Sequence, residues 1–307
     1  MLKEFTINPT NPNKYEEITN YFKPYLSDMK EIILKLYNQA STIDYVIQSA
    51  VYLNSNNIMF KDEIEYFANV LDVKFHVLLV VNLMYEMSSA CTTICTRING
   101  KNMMFRTMDW DLEFLKKVTY KIITPNYEAI TWFGCVGYFT AQNSEYAIAI
   151  NYRRTQNIGL MTLIQNAMKT IKLYYPASYL VRHIFDSNQT STNAYEMLKY
   201  TELISPVYFT LCPINYNPQI IVRSSKEHSI VKCKNGYVSQ TNIDEDDVGD
   251  NIMWSIERKA KIKEIMETNI FTSANDLLQL TDFPIINHET VYVCVMSPSD
   301  GIIGKVI

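Results

Sequence analysis

The chain has 307 residues, of which 48% are apolar and 20% are charged, and its formal net charge at pH 7 is −4. This composition is typical of a folded globular protein and excludes a largely disordered chain. The acidic balance argues against nucleic-acid binding, because a protein that neutralises phosphates needs a basic surface. Lys259, Lys261 and Lys263 alternate with other residues in a helical pattern, which indicates a solvated helix face.

Neither a targeting signal nor a membrane-spanning segment is evident in the sequence. The first residues, Met1 to Phe5, lack the apolar stretch of a secretory signal. The apolar stretch from Phe75 to Met84 is about half as long as a bilayer span requires, so it predicts a buried helix. We therefore expect a cytoplasmic location unless a leader has already been removed.

The first 90 residues are mostly helical in pattern. Residues 1–25 are expected to form an extended, turn-rich lead-in, and apolar residues then recur at helical spacing over 26–54 and 62–87. After Ser88 the pattern changes to short segments rich in β-branched and aromatic residues, separated by turn signals. These segments predict strands over 91–98, 102–107, 118–124, 128–134 and 146–152.

The rest of the chain alternates between helical and extended blocks. Helices are predicted over 160–173, 177–187, 192–200, 253–267 and 273–281. Strands are predicted over 206–212, 219–224, 228–233, 236–241, 290–297 and 301–307. Blocks of strands followed by blocks of helices favour antiparallel sheets covered by helices over a doubly wound parallel sheet. The break at 88–91 lacks a linker's composition, so we expect one compact body.

The cysteines and histidines do not form a recognisable metal-binding or Cys–His pattern. The six cysteines have no CxxC spacing, and only four scattered histidines accompany them, so no metal or other cofactor is expected. Free thiols are the default interpretation for a reducing compartment, and disulfides among the later cysteines stay open. We expect the cysteines other than Cys91 to be structural.

Cys91 stands out because of its neighbours. It opens a predicted strand directly after small residues, and a turn signal at Asn99-Gly100 joins this strand to a second one that carries Arg106 and Asp109. Two strands joined by a tight turn bring the end of the second beside the start of the first. A cation and a carboxylate are therefore expected next to a residue whose thiolate is a strong nucleophile.

The sequence around Cys91 resembles the junction segment of the acid ceramidase and N-acylethanolamine acid amidase family. The resemblance is collinear across essentially the whole chain, and is carried by residues 84–94 with 106–110, and by 5–8, 133–138, 204–209 and 240–244. It implies an α+β, four-layer αββα N-terminal-nucleophile hydrolase fold. In that fold, residues 1–90 would form a helical α part and residues 91–307 a β part.

The resemblance implies that the chain cuts its own Ala90–Cys91 bond. The freed α-amine of Cys91, with a pKa of about 7.7–8.0, would then take the proton from the thiol of the same residue. By the same resemblance, Arg106 would hold the thiolate and the scissile carbonyl, and Asp109 would accept from the α-amine. Asn242 would donate into the oxyanion hole, and Arg258 would be a second arginine near the site.

The resemblance also implies a fatty-acyl amide substrate, such as an N-acylethanolamine or a ceramide. Met87, Trp110 and Gln165 are the residues expected near the substrate, although Gln165 stands where the family often has a glutamate. Because residues 1–90 contain no cysteine, the two fragments would be held together non-covalently. Relatives act in acidic, lysosome-like compartments, and this chain would do so only if a leader had been removed.

Several alternatives stay open at this point. The same chemistry could act on a bile-salt or penicillin type of acyl amide, or the chain could be an unprocessed, non-catalytic homologue that binds lipid or a partner. Contact with a membrane surface is a further alternative. Taken singly, Arg106 and Asp109 also fit a surface ion pair, Asn242 a turn, and Arg258 an exposed helix face.

Overall fold

The structure is a computed structural model that describes residues 1–39, 58–84, 90–153, 169, 174–244 and 251–307. The strands in these residues are β1 Lys3–Thr6, β2 Ala90–Ile98, β3 Lys101–Asp109, β4 Thr119–Ile123, β5 Glu128–Trp132, β6 Thr140–Gln142, β7 Tyr146–Tyr152, β8 Val207–Pro213, β9 Gln219–Arg223, β10 His228–Lys232, β11 Tyr237–Gln240, β12 Thr290–Ser297 and β13 Gly301–Val306. The α-helices are α1 Glu16–Phe22, α2 Leu26–Gln39, α3 Lys61–Val70, α4 Phe75–Met84, α5 Leu115–Val118, α6 Ala177–Asp186, α7 Ser191–Tyr200, α8 Ser255–Thr268 and α9 Ala274–Leu278.

The strands form two sheets. The larger sheet has eight strands in the order β1-β4-β5-β6-β7-β8-β9-β10, and the smaller has five in the order β11-β2-β3-β12-β13. Neighbouring strands are antiparallel except β1 and β4, which are parallel. The predicted antiparallel sheets are therefore confirmed.

Helices cover both sheets on their outer faces. The first helices pack on the larger sheet, where Phe22 of α1 contacts Tyr120 and Phe133, and α6 and α7 pack on its strands β6 to β9. Helices α8 and α9 cover the smaller sheet through a second apolar cluster. Between the sheets, Thr93 of β2 is hydrogen-bonded to Thr210 of β8. The result is the expected four-layer αββα arrangement.

The hairpin that carries the candidate nucleophile forms as predicted. Asn99 and Gly100 have φ values of 50° and 81°, which the two-residue turn of a twisted hairpin requires. The pairing of β2 with β3 places Cys91 opposite Met108, Ala90 opposite Asp109 and Thr93 opposite Arg106. The end of β3 therefore lies beside the start of β2.

Some predicted elements differ from the structure. Residues 1–25 contain strand β1 and helix α1 rather than an extended lead-in, because Phe5, Ile18 and Phe22 are buried against the larger sheet. The helix predicted over 62–87 is interrupted after Val70, since Asp72 is left-handed with φ of 50°. Strand β6 was not predicted. Most of the helix predicted over 160–173, and the part of the 26–54 helix beyond residue 39, lie outside the described residues.

A buried ion pair, which we call the clasp, joins the N-terminal helices to the rest of the fold. Both carboxylate oxygens of Glu63 on α3 accept hydrogen bonds from Arg182 on α6, at 2.6 Å each. Lys14 and Tyr15 also donate to Glu63, at 2.8 and 2.6 Å. The side chains of Arg182 and Glu63 are only 5% and 13% exposed. The clasp thus connects residues that lie on opposite sides of the Ala90–Cys91 bond.

Candidate active site

The Cys91 thiol faces an arginine in the interior of the fold. Cys91 exposes none of its surface, and its Sγ lies 3.2 Å from Nη2 of Arg106 and 3.6 Å from Sδ of Met108. Arg106 is also fully buried, and its Nη1 donates to Oδ1 of Asn151 at 3.1 Å. The hairpin therefore brings the predicted cation into direct contact with the predicted nucleophile.

The backbone of Cys91 is held by three other side chains. Its N–H donates to Oδ1 of Asn242 at 2.9 Å. Its carbonyl oxygen accepts from Nη1 of Arg258 at 2.7 Å and from Nδ2 of Asn151 at 3.1 Å. Side chains from the end of β7, from the residues after β11 and from α8 thus converge on a single residue.

Arg258 is the hub of this arrangement. Its guanidinium donates to Oγ1 of Thr92, to Oδ1 of Asn242 and to Oγ of Ser255, each at 2.9 Å. Burial lowers the pKa of Arg258, while the nearby Asp109 carboxylate opposes that shift. Arg258 is fully buried and does not lie on an exposed helix face, so the surface interpretation is wrong.

Asp109 is a buried carboxylate with several partners. It accepts hydrogen bonds from Thr290 at 2.7 Å and from Thr107 at 3.2 Å, and Nη1 of Arg258 lies 3.7 Å from its Oδ2. Burial raises the pKa of Asp109, and Arg258 and the two hydroxyl groups oppose this shift. Asp109 lies opposite Ala90 in the strand register, next to the bond predicted to be cut.

The contacts of Asn242 define the orientation of its amide. Oδ1 accepts from two donors, the Cys91 N–H and Arg258, whereas Nδ2 donates to the carbonyl oxygen of Tyr152 at 2.8 Å. The nitrogen of Cys91 therefore donates to Asn242, whereas the prediction had Asp109 accept from this nitrogen after cleavage. Its role as an oxyanion donor stays a prediction, since Nδ2 is engaged by Tyr152.

Asn151 is a site residue that sequence reasoning missed. Its amide contacts Arg106 and the Cys91 carbonyl, and its Nδ2 also donates to the Gln240 carbonyl at 3.0 Å. In the sequence it is one asparagine at the end of a strand pattern. Only the packing of β7 against β2 reveals what it touches.

The three residues expected near the substrate are less well defined. Trp110 is 6% exposed and packs edge-on against Trp132, so it belongs to the core beside the site. Met87 and Gln165 lie outside the described residues. Their contact with substrate stays a prediction, as does that of Trp110.

In the described ranges, no group of three or more His, Cys, Asp or Glu side chains is arranged to hold a metal ion. All six cysteines are described and are free thiols. The polar groups around Cys91 bring a thiol, two guanidinium groups and a carboxylate together in one buried cluster.

The buried cluster shifts the pKa of the Cys91 thiol in both directions. Burial raises the pKa of Cys91, and Arg106 opposes this by favouring the thiolate. Asp109 raises the thiol's pKa further, while Arg258 lowers it.

The substrate for this test is the fatty-acyl amide expected from the sequence. We expect replacement of Arg106 by methionine to lower kcat/KM for that substrate on the order of 10²-fold, because the thiolate loses its charge partner. The alkylation rate of Cys91 should also shift to higher pH, since Arg106 lowers the pKa of the thiol. Arg97→Met is the matched control, because Arg97 lies on β2 of the same hairpin and is exposed. A loss no larger than that of Arg97→Met would contradict a role for Arg106.

Comparisons with known proteins agree with this fold. No family model matches the chain. An uncharacterized protein, R632, of Acanthamoeba polyphaga mimivirus is 29% identical over 299 residues, 92% of each chain. Acid ceramidase of Bos taurus is 22% identical over 312 residues, 91% of this chain and 78% of that protein. The solved structure of a Caenorhabditis elegans N-acylethanolamine-hydrolyzing acid amidase ortholog superimposes with a TM-score of 0.60 at 22% identity, covering 71% of this chain and 100% of that one.

The four-layer fold is that of the N-terminal-nucleophile hydrolases, as the resemblance noted in the sequence implied. The resemblance to the acid ceramidases and N-acylethanolamine acid amidases is therefore confirmed, and the named homologues of this chain are amidases. The described residues contain no helix long and apolar enough to cross a bilayer.

Proposed function

We propose that this chain is a self-processing cysteine amidase that hydrolyses a linear fatty-acyl amide of the N-acylethanolamine or ceramide type. The observation that carries the proposal is the environment of one residue. The thiol of Cys91 lies 3.2 Å from a buried guanidinium, and its backbone nitrogen is held by Asn242. These two contacts support the proposal, because they hold the thiol and the nitrogen that would act as nucleophile and base. The named relatives supply the substrate class.

Self-cleavage would begin with attack of the Cys91 sulfur on the carbonyl carbon of Ala90. The C–N bond breaks as the new C–S bond forms, and the thiol proton goes to the departing nitrogen of Cys91. Water then hydrolyses the thioester, which leaves a carboxylate on Ala90 and returns the thiol. Arg258 and Asn151 hold the Cys91 carbonyl, at 2.7 and 3.1 Å, so the attacking residue stays anchored while its N-terminal side is released.

Turnover would use the same atoms with a different carbonyl. The α-amine of Cys91 takes the thiol proton, and the thiolate attacks the amide carbon of the substrate to give a tetrahedral oxyanion. The protonated α-amine then donates to the departing amine as the thioester forms. Water attacks the thioester, the fatty acid leaves, and the thiol is restored. No histidine is required, in accord with the scattered histidines of the sequence.

Burial explains why the uncut chain would be an inactive precursor. Ala90 and Cys91 both expose none of their surface, so an external amide has no access to the sulfur. An intramolecular carbonyl, by contrast, is adjacent to it through the backbone. In the proposal, the thiol therefore reacts first with its own chain.

The decisive experiment is intact mass of the purified protein together with N-terminal sequencing. The proposal expects two fragments that correspond to residues 1–90 and 91–307, with Cys91 as the second N-terminus. The processed protein should release free fatty acid from a fluorogenic fatty-acyl amide. A chain that stays whole and releases no acid after prolonged incubation would instead support a non-catalytic homologue.

The substrate class is tested by a panel of acyl amides. We expect kcat/KM to increase with acyl chain length from two to about sixteen carbons, because each buried methylene contributes about 0.8 kcal/mol. Glycine-conjugated bile salts and penicillin V serve as comparison substrates. Faster hydrolysis of either than of the long-chain amide would move the assignment to the bile-salt or penicillin type.

A further inference from the structure

We infer that Arg153 and Asp244 are positioning residues for the Cys91 site, acting as a paired anchor that fixes the amides of Asn242 and Asn151. The inference rests on the proposed function, because it concerns the geometry of that reaction. Neither residue touches Cys91, and both lie just beyond residues that do. Arg153 follows β7 and Asp244 follows β11, so the pair joins the larger sheet to the smaller one.

The pair has the geometry of a specific, two-pronged contact. Nε and Nη2 of Arg153 donate to Oδ1 and Oδ2 of Asp244 at 2.9 and 2.6 Å. The hydroxyl of Tyr208 donates to the same Oδ1 at 2.8 Å, and Nη1 of Arg153 donates to the Arg223 carbonyl at 3.2 Å. Both charged groups are thus held by neighbours on the larger sheet as well as by each other.

Hydrogen bonds from two asparagine side chains lie between this pair and Cys91. Asn242, two residues before Asp244, donates to the carbonyl of Tyr152, the residue before Arg153. Asn151, two residues before Arg153, donates to the carbonyls of Gln240 and Thr241. The segments 151–153 and 240–244 therefore bind each other at successive points. The same two asparagines bind Cys91: Asn242 accepts from its nitrogen, and Asn151 donates to its carbonyl oxygen.

The Arg153–Asp244 ion pair is a further contact between segments 151–153 and 240–244, and it does not involve the asparagines. The Arg153 and Asp244 side chains are 19% and 42% exposed, so the pair is too open to form part of the core. Burial raises the pKa of Asp244, but hydrogen bonds from Arg153 and Tyr208 lower it overall, so the carboxylate stays charged. With both sheets anchored at this point, the Asn242 amide has a defined position relative to Cys91.

The test compares Asp244→Asn, Arg153→Met and the double variant with wild type, using the same fluorogenic fatty-acyl amide. Each single variant should lower kcat about 10- to 100-fold, the size expected when reacting groups are misplaced by a fraction of an ångström to an ångström. KM should change far less, because misplacement of the reacting groups acts on the chemical step rather than on binding of the acyl chain. The double variant should be no slower than the slower single variant, since each change already breaks the pair.

Matched substitutions separate positioning from simple loss of an ion pair. Asp300→Asn breaks a pair with Lys101 at the far end of the smaller sheet, in which the carboxylate side chain is 47% exposed, close to the 42% of Asp244, and kcat should stay within about twofold of wild type. Arg153→Lys should retain less activity than Asp244→Glu. An ammonium group cannot bind both carboxylate oxygens as the planar guanidinium does, whereas a glutamate keeps both oxygens. Thermal unfolding of every variant shows whether any loss of activity is a loss of fold.

A crystal structure of the Asp244→Asn variant gives a readout that does not depend on activity. The contact between Oδ1 of Asn242 and N of Cys91, 2.9 Å in wild type, should lengthen beyond 3.5 Å. The inference is overturned if kcat matches that of Asp300→Asn, if the two single effects multiply, or if this contact is unchanged. An inactive wild type would instead refute the proposed function, and the crystal structure would still decide the role of the pair.

Discussion

Replacing Cys91 by alanine is expected to yield a chain that never splits and hydrolyses no amide, a loss on the order of 10⁶-fold. The substitution deletes only Sγ, the atom beside Arg106. The backbone contacts to Asn242, Arg258 and Asn151 do not involve that atom and should persist. The loss would therefore report the absence of the nucleophile rather than collapse of the site. Intact mass and a fatty-acid release assay measure it.

Cys95→Ala is the matched control for this substitution. Cys95 lies on the same strand four residues later, is also fully buried, and packs in the core. We expect this variant to cleave and turn over as wild type does, with a small loss of stability. If the Cys91→Ala chain splits at the rate of wild type, the bond is cut by some other group and the proposed mechanism is wrong.

The second large effect concerns the clasp between Glu63 and Arg182. We expect Arg182→Met to lower the free energy of unfolding by about 3–5 kcal/mol, because it leaves the buried Glu63 carboxylate without its main partner. In the processed protein, the same change should let the 1–90 fragment separate from the 91–307 fragment. Chemical denaturation measures the first effect, and size-exclusion chromatography measures the second.

A double variant tests whether the clasp acts as a pair. Glu63→Gln combined with Arg182→Met removes both charges, so it should cost less than the sum of the two single variants. Asp72→Asn is the surface control, since Asp72 is 90% exposed in its pair with Lys30 and should contribute little. Strictly additive losses, or fragments that stay together in all variants, would contradict the role of the clasp.

The clasp also predicts a pH dependence. Burial raises the pKa of Glu63, but Arg182 and Lys14 outweigh burial and lower it to about 2. An unfolded glutamate has a pKa of about 4.3, so the stabilisation is fully present above that value and is lost as pH falls toward 2. The stability difference between wild type and Glu63→Gln should therefore shrink below about pH 4.3. A difference that is constant down to pH 2 would show that Glu63 does not titrate in this way.

Much of the fold was predictable because its signals are local. The period of apolar residues identified most strands and helices, and Asn99-Gly100 identified the hairpin that aligns Arg106 with Cys91. The first 25 residues were misjudged because their prolines and asparagines resemble a loop. Strand β1 and helix α1 form there through burial of Phe5, Ile18 and Phe22, a tertiary effect that short-range pattern does not contain.

In the candidate site too, residues with a local sequence signal were predictable and residues that act through distant contacts were not. Cys91, Arg106 and Asp109 followed from one hairpin, whereas Asn242 and Arg258 followed only from the resemblance to a family. Asn151, Arg153 and the clasp were not predicted, because each acts through partners tens of residues away in the chain. A polar side chain at a strand end has no sequence signal that distinguishes such a contact from exposure to solvent.

Strand β1 also bears on how the protein should be handled. It is the outermost strand of the larger sheet and pairs in parallel with β4, from Lys3 opposite Tyr120 to Thr6 opposite Ile123. Removing residues 1–7 would uncover the N–H and C=O groups of β4, and such unpaired groups recruit strands from other molecules. Truncated or proteolytically trimmed preparations should therefore aggregate, even though every residue around Cys91 is intact.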